Sequence, residues 1–283
     1  MAGSVNHLLC MGFGFSAAAL ARRLDRSAWR VTGTSRSDAG VAAIVAAGYE
    51  GVRFDLLTVV PPTVTHIVSS VPPEEHGDPA LKRLGGHIAK RAASFSWVAY
   101  LSTTGVYGDR GGDWVDEESP LAPSTERGRK RLQAEAAWRA IDGLPLHIVR
   151  LAGIYGPGRN QLQSVRDGTA KRVIKPGQIF SRIHVDDIAG ILLASMVRPH
   201  PGRAYNGADD APCPPQDVVS FAAELLGADP PPKIAFEDAN LSPMARSFYA
   251  ESKRVSNARV KQELGYHFKY PTYREGLRAC LDQ

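Results

Sequence analysis

Leu8-Leu9-Cys10-Met11-Gly12-Phe13-Gly14-Phe15-Ser16-Ala17-Ala18-Ala19-Leu20 is the stretch whose reading decides the fold. A short apolar run, the length of a buried strand, stops at Gly12, and a helical segment opens at Ser16. Gly12 permits a tight turn, and Gly14 lets backbone approach a pyrophosphate with no Cβ in the way. Ala17 is small enough for close helix–strand packing. A diphosphate bound here would rest on the N-terminal N–H groups of helix Ser16–Leu24. A Gly-x-Gly-x-x-Ala run can also be a purely structural turn. Its place between the first strand and the first helix, with more such units following, favours dinucleotide binding by Gly12, Gly14, Phe15, Ser16 and Ala17.

Outward from this turn, short apolar runs alternate with helical segments. Strands are expected at Val5–Leu9, Trp29–Thr34, Gly51–Phe54, His66–Ser69, Trp97–Ser102 and Leu146–Leu151. Helices are expected at Ser16–Leu24, Ala39–Ala47, Pro79–Ala93 and Glu126–Ile141. That alternation predicts βαβ units, and right-handed crossovers make the fold α/β, a doubly wound parallel (Rossmann) sheet. After Leu151 the texture changes: Gly153–Arg159 is loop-like, proline clusters punctuate the chain, and helices follow at Val185–Val197, Gln216–Leu226 and Val255–Leu264. The expected division is a dinucleotide-binding domain over 1–151 and about 183–200, with a smaller C-terminal substrate lobe over about 152–182 and 201–283.

Composition narrows the function classes. The chain has 283 residues, 43% hydrophobic and 22% charged, which are ordinary globular values. A net charge of +5 from scattered basic residues suits an anionic small ligand better than nucleic acid. Three cysteines, Cys10, Cys213 and Cys280, lie far apart, and the histidines share no metal-ligand spacing. No disulfide framework and no metal are therefore expected. The apolar stretch Leu8–Leu20 has Arg22 and Arg23 after it and no basic residue before it, the wrong charge order for export. No apolar run approaches the ~20 residues that span a bilayer. A cytoplasmic protein acting on a small molecule, without membrane association, is the expectation.

The end of the second strand bears on cofactor choice. NAD-preferring folds carry Asp or Glu there to hold the ribose hydroxyls. This chain has Thr34-Ser35-Arg36-Ser37, with no carboxylate before Asp38. Arg36 can pair with a 2′-phosphate through two N–H groups, and Ser35 can donate to it, so NADP is expected over NAD. Asp55, closing the third strand, is positioned to accept from an adenine amine or to form a turn.

Two further segments carry chemistry. Tyr100-Leu101-Ser102-Thr103-Thr104-Gly105-Val106-Tyr107-Gly108 ends a strand in three hydroxyls, at the sheet edge where ligands of open α/β folds lie. With Arg150-Leu151-Ala152-Gly153-Ile154-Tyr155-Gly156-Pro157-Gly158 and Ile183-His184-Val185-Asp186-Asp187-Ile188-Ala189, it resembles the extended short-chain dehydrogenase/reductase superfamily, which includes NAD-dependent epimerases and dehydratases. The resemblance runs through roughly residues 5–200 and more loosely beyond. It implies that Thr103, with Ser102 beside it, hydrogen-bonds the reacting substrate oxygen. It also implies that Ser69, Ser70 and Val71 pass near the nicotinamide ribose, and that Ala152 and Gly153 face the nicotinamide amide. Helices Pro79–Ala93 and Glu126–Ile141 resemble those that pair across a homodimer in relatives.

The chain departs from the family at the proton-transfer pair. Where the family has Tyr-x-x-x-Lys, Arg127 and Arg131 stand here. Arginine stays protonated, so it can stabilise an oxyanion but cannot shuttle a proton. Tyr107 is the candidate substitute acid, with Arg127 as oxyanion stabiliser; Lys130 is one residue out of frame. Thr104 and Gly105 replace the acidic pair of the dehydratases, which disfavours that reaction. Two readings result: an NADP-dependent oxidoreductase or epimerase-like enzyme lacking the usual dyad, and a catalytically silent NADP(H)-binding sensor. Glu117-Glu118 are expected as helix caps or solvated charge, and the basic residues Lys253, Arg254, Arg259 and Lys261 on a solvated helix face, the basic cluster alternatively holding an anionic substrate.

Overall fold

Seven strands form one parallel sheet in a computed structural model that describes residues 5–281. In chain order they are β1 (Asn6–Met11), β2 (Trp29–Ser35), β3 (Glu50–Arg53), β4 (His66–Ser69), β5 (Trp97–Thr103), β7 (Leu146–Leu151) and β11 (Ala204–Gly207), with β6 (Trp114–Val115), β8 (Gly153–Tyr155), β9 (Arg172–Ile174) and β10 (Arg182–His184) outside the sheet. The spatial order is β11-β7-β5-β4-β1-β2-β3. The chain runs outward from β1 through β2 to β3, then restarts on the other side at β4. The reversal therefore falls between β1 and β4, and the crevice at their carboxyl ends is where such sheets bind ligands.

Connecting helices are α1 (Phe15–Arg22), α2 (Asp38–Ala46), α3 (Pro79–Lys90), α4 (Glu126–Arg139) and α6 (Val185–Val197). β4 and β7 are buried along their whole length, and β5 in all but its last residue, which explains their near-continuous apolar sequence. Leu9, Ile67, Val98, Tyr100 and Ile148 of the sheet pack with Leu84 and Ile88 of α3 and Ala134 and Trp138 of α4. Leu84, Ile88 and Trp138, three of the apolar residues that motivated a homodimer face, are thus turned into the core, whereas Ala136 is exposed. Asp78 caps α3 and also accepts from the Trp138 indole at 3.2 Å, tying the two helices together.

The chain divides into two compact units: 5–103, 130–150 and 188–205 in the first, 104–129, 151–187 and 206–281 in the second. Segment 104–129, which the sequence reading kept with the dinucleotide-binding half, falls in the second unit. That unit contains three small parallel pairs: β8 with β10, β9 with β12 (Lys233–Ala235), and β6 with β13 (Arg254–Val255). Its helices are α5 (Gln161–Arg166), α7 (Pro215–Leu225), α8 (Pro243–Phe248), α9 (Ala258–Leu264) and α10 (Tyr273–Ala279). Tyr155, Leu162, Phe221, Tyr273 and Leu277 share its core. The expected helix Val255–Leu264 begins only at Ala258, because Arg254 and Val255 pair with Trp114 and Val115 as a strand. The expected loop at Gly153–Arg159 likewise opens with β8. No helix among the described residues is long and apolar enough to cross a membrane.

Candidate functional site

The turn after β1 is held from two sides within the first unit. The Gly12 N–H donates to the Thr34 hydroxyl at 2.8 Å, and the Phe13 N–H donates to the Thr34 carbonyl at 2.9 Å. From β4, the Ser70 hydroxyl donates to the Gly12 carbonyl at 2.7 Å. Gly12 has φ +84°, and a Cβ there would approach the Ser70 oxygen to 2.9 Å, so glycine is required on both counts. Phe13 folds back over β2 beside Tyr49, and a Cβ on Gly33 would meet its ring at 2.5 Å.

Gly14 is the N-cap of α1, and no side chain caps that helix end. A Cβ on Gly14 would meet nothing within 4 Å, so space lies open beside the uncapped N–H groups. Phe15 opens the helix and Ser16 and Ala17 are buried in its first turn. At the neighbouring strand ends, the hydroxyls of Ser69 and Ser102 are buried without a hydrogen-bond partner. Ser69 is paired in register with Tyr100, and Ser102, two residues further along β5, lies on the same face. Two orphaned hydroxyls cost roughly 1–3 kcal/mol each unless a ligand or water meets them. Thr103 is half-buried at the end of β5. Val71 lies with its methyl 3.4 Å from where a Gly12 Cβ would stand.

The end of β2 keeps the expected Ser35-Arg36 pair but adds an unanticipated arginine. Arg36 is exposed and has no ion-pair partner among the described residues. Ser35 packs against Gly40, where a Cβ would collide with its hydroxyl, and Ser37 caps α2. Arg53, the register partner of Ser35, grips Asp55 through Nε at 2.9 Å and Nη2 at 2.7 Å, and Asp38 through Nη1 at 2.9 Å. Those bonds hold the Asp55 carboxyl below its ordinary range. Asp55 is therefore an ion-paired carboxylate rather than a free acceptor. Arg53 shows only through strand pairing, which no spacing rule in the sequence reveals.

The residues replacing the proton-transfer pair are both engaged. Arg131 donates through Nη1 to the Tyr100 hydroxyl at 3.0 Å and to the Leu101 carbonyl at 2.8 Å, bracing α4 against β5. In the second unit Arg127 is exposed and stacks on Phe248 at 4.7 Å. Tyr107 is fully buried, and its hydroxyl donates to Asn206 Oδ1 at 2.7 Å. A phenol sequestered in this way is a packing group, which corrects its assignment as the proton source. Ala152 is buried and donates its N–H to the Gly207 carbonyl at 2.9 Å; Gly153 is exposed.

Other charged groups of the second unit are structural. Asp187 accepts from the Tyr266 hydroxyl and from the N–H groups of Lys269 and Tyr270. His184 sits between the rings of Tyr155 and Tyr270, and burial lowers its pKa to about 4. Glu117, expected as a helix cap or solvated charge, accepts from the Asn206 N–H at 2.7 Å, and burial raises its pKa. Lys253, expected on a solvated helix face, is buried and donates to the Gly108 carbonyl at 2.7 Å and to Glu251 at 2.6 Å. A cavity of about 480 Å³ lined by Trp114, Val115, Asp116, Ser119 and Ser256 includes none of the residues singled out as catalytic or cofactor-binding.

No known protein-family profile matches the chain. A conserved protein of unknown function from Silicibacter pomeroyi DSS is similar in structure, with 52% identity, a TM-score of 0.95, and 98% of this chain and 99% of that one covered. A putative NAD-dependent epimerase/dehydratase from Methylobacillus flagellatus is 27% identical, with a TM-score of 0.75 over 99% of this chain and 98% of its own. The human epimerase family protein SDR39U1, solved with NADPH, is 20% identical, with a TM-score of 0.74 over 98% of this chain and 99% of its own, a likeness of fold.

Proposed function

We propose that this chain, a member by fold of the NAD-dependent epimerase/dehydratase-like proteins of the extended short-chain dehydrogenase/reductase superfamily, binds NADP(H) and serves as an oxidoreductase without the usual proton-transfer pair. The observation that carries the reading is the uncapped start of α1 beside open space at Gly14, with buried partnerless hydroxyls on Ser69 and Ser102. Gly12, Gly14, Phe15, Ser16 and Ala17 would hold the diphosphate, which the helix start favours by its N–H groups and dipole. Arg36, with Ser35 beside it, would take the 2′-phosphate, since its guanidinium is not neutralised by a carboxylate. Asp38 and Asp55 would not repel that phosphate strongly, because Arg53 offsets both. Ser69, Ser70 and Val71 would line the nicotinamide end.

When bound, the cofactor supplies or accepts a hydride. Thr103 then holds the substrate oxygen by its hydroxyl and orients the reacting carbon, with Ser102 behind it. Arg131 braces the Tyr100–Leu101 backbone and keeps the strand end in place. Neither arginine of the 127–131 frame moves a proton, and Tyr107 donates inward to Asn206. A turnover lacking that general acid is expected ~10²–10⁴-fold below a complete dyad. The same engagement of Tyr107, Arg127 and Arg131 favours a second reading, a silent NADP(H) sensor.

Calorimetric titration with NADPH and NADH tests the common premise. NADPH binding more tightly than NADH is expected, and heat from neither would refute both readings. Reduced-nicotinamide absorbance followed against aldehydes, ketones and sugar nucleotides then separates them: turnover lost in Thr103→Ala supports the enzyme, and tight binding with no turnover supports the sensor.

A further inference from the structure

Arg182 of β10 was not among the residues the sequence singled out, yet it is unusually placed within the second unit. The segment after β11 is knitted to its strand: the Asp209 N–H donates to the Arg182 carbonyl at 2.6 Å, and Phe180 and Cys213 exchange backbone bonds at 3.0 and 3.1 Å. Nη1 of Arg182 donates to the Phe180 carbonyl at 3.1 Å and to Cys213 Sγ at 3.2 Å, which fixes one corner of the guanidinium. Its Nε and Nη2 have no acceptor among the described residues, and no carboxylate there lies within ion-pair distance. A half-buried guanidinium with unused donors is an anion site awaiting its anion.

The surroundings are polar and incomplete. Asp209 Oδ2 and the Tyr155 hydroxyl are both buried without a hydrogen-bond partner, and Asp209 is only 1% exposed. The Arg182 charge acts on Asp209, Tyr155, Cys213 and Tyr249 alike, so these groups share one neighbourhood. Burial pushes the Asp209 carboxyl up to about 7, so it only partly offsets the arginine near neutral pH. Buried polar atoms of this kind are normally satisfied, and a gathering of them beside an unpaired cation marks a place for a ligand.

We propose that the Arg182 cluster binds a hydroxy-carboxylate of the hydroxy-acid or sugar-acid class. One free edge of a guanidinium, with two parallel N–H groups, matches a carboxylate. The acceptor on Asp209 requires a donor, which a ligand hydroxyl supplies. A phosphate dianion would bring only oxygens against it. Tyr155 and Tyr249 add phenols that can donate or accept.

Calorimetry of the NADP⁺-saturated chain with D-gluconate and D-glycerate, with D-glucose and inorganic phosphate as controls, tests the assignment. The hydroxy-carboxylates bind and glucose does not. Arg182→Met weakens them at least tenfold, while NADP⁺ affinity is unchanged. Arg182→Lys keeps the charge without the fork, weakens them several-fold, and carries the comparison if the methionine variant does not fold. Absence of hydroxy-carboxylate binding in a chain that still binds NADP⁺ overturns the assignment and leaves the cofactor reading intact. Binding that survives Arg182→Met, or phosphate binding more tightly than gluconate, overturns it as well. Gluconate binding that depends on Arg182 in a chain that does not bind NADP⁺ upholds the site and removes the cofactor reading.

Discussion

Removing His147 should flatten the acid side of the stability curve. The ring is fully buried, its Nε2 accepts from the His200 N–H at 2.9 Å, and its Nδ1 lies 3.3 Å from the Val98 carbonyl. Those partners define a neutral tautomer with Nδ1–H donating and Nε2 accepting. Protonation of Nε2 would set two donors against each other, and burial already lowers the pKa to about 4 from an ordinary 6.5. The folded pKa is depressed, so the unfolded chain binds more protons between the two values. Stability from this group is therefore complete above about pH 6.5 and is lost as pH falls towards 4. Integrated from pH 7 to pH 5, the loss is about 2 kcal/mol for His147. His66 and His184, also lowered to about 4, act in the same direction, and three such groups would total about 5 kcal/mol. Asp209 opposes them: its pKa is raised, so it stabilises the fold as pH falls, by about 2 kcal/mol over the same interval. Urea unfolding followed by tryptophan fluorescence at pH 7 and pH 5 is the assay. His147→Gln should lose about 2 kcal/mol less than the parent chain over that interval, whatever its stability at pH 7. Parallel pH dependences in the two proteins would refute the reasoning.

Arg36→Glu should weaken NADPH binding by roughly 10–100-fold, consistent with losing a charge-assisted phosphate contact, while leaving NADH within a few-fold; fluorescence titration with both cofactors checks it. Gly12→Ala combines a left-handed backbone with a collision against Ser70 and should cost about 1–3 kcal/mol by chemical denaturation. Dinucleotide binding should fall with it. Glu135→Ala removes the carboxylate that meets the buried Arg150 guanidinium at 2.9 Å, and should destabilise the chain by roughly 3–5 kcal/mol in a urea titration. Gly276→Ala would place a methyl 2.0 Å from the Tyr155 hydroxyl, and its melting temperature should fall by several degrees.

The first half of the fold was legible because its signals are local. A buried parallel strand is a continuous apolar run, and Gly12, Gly14 and Ala17 announce the turn without help from distant residues. The six strands read from the sequence occur in the sheet, with ends shifted by one or two residues at most. β11 escaped because Ala204-Tyr205-Asn206-Gly207 is too short and too mixed to read as a strand. The paired strands of the second unit span two or three residues each, and partners such as Trp114 and Arg254 lie far apart in sequence. Long-range partners also explain the site corrections. Asn206 takes the Tyr107 hydroxyl, and Gly108 takes the Lys253 ammonium. Each residue looked available only because its partner was invisible in one dimension. Arg182 was missed for the opposite reason: nothing in its local sequence distinguishes it, and only the orphaned atoms around it do.

The three short strand pairs of the second unit join 114–115 to 254–255, 153–155 to 182–184 and 172–174 to 233–235, and α10 adds Tyr273 and Leu277 to the same core. During synthesis that unit therefore cannot close until α10 has left the ribosome, whereas β1 to β5 can begin pairing within the first hundred or so residues. A nascent chain stalled before α10 would carry a started sheet and an open, adhesive remainder, which makes Tyr273 and Leu277 the last lock on that unit's core.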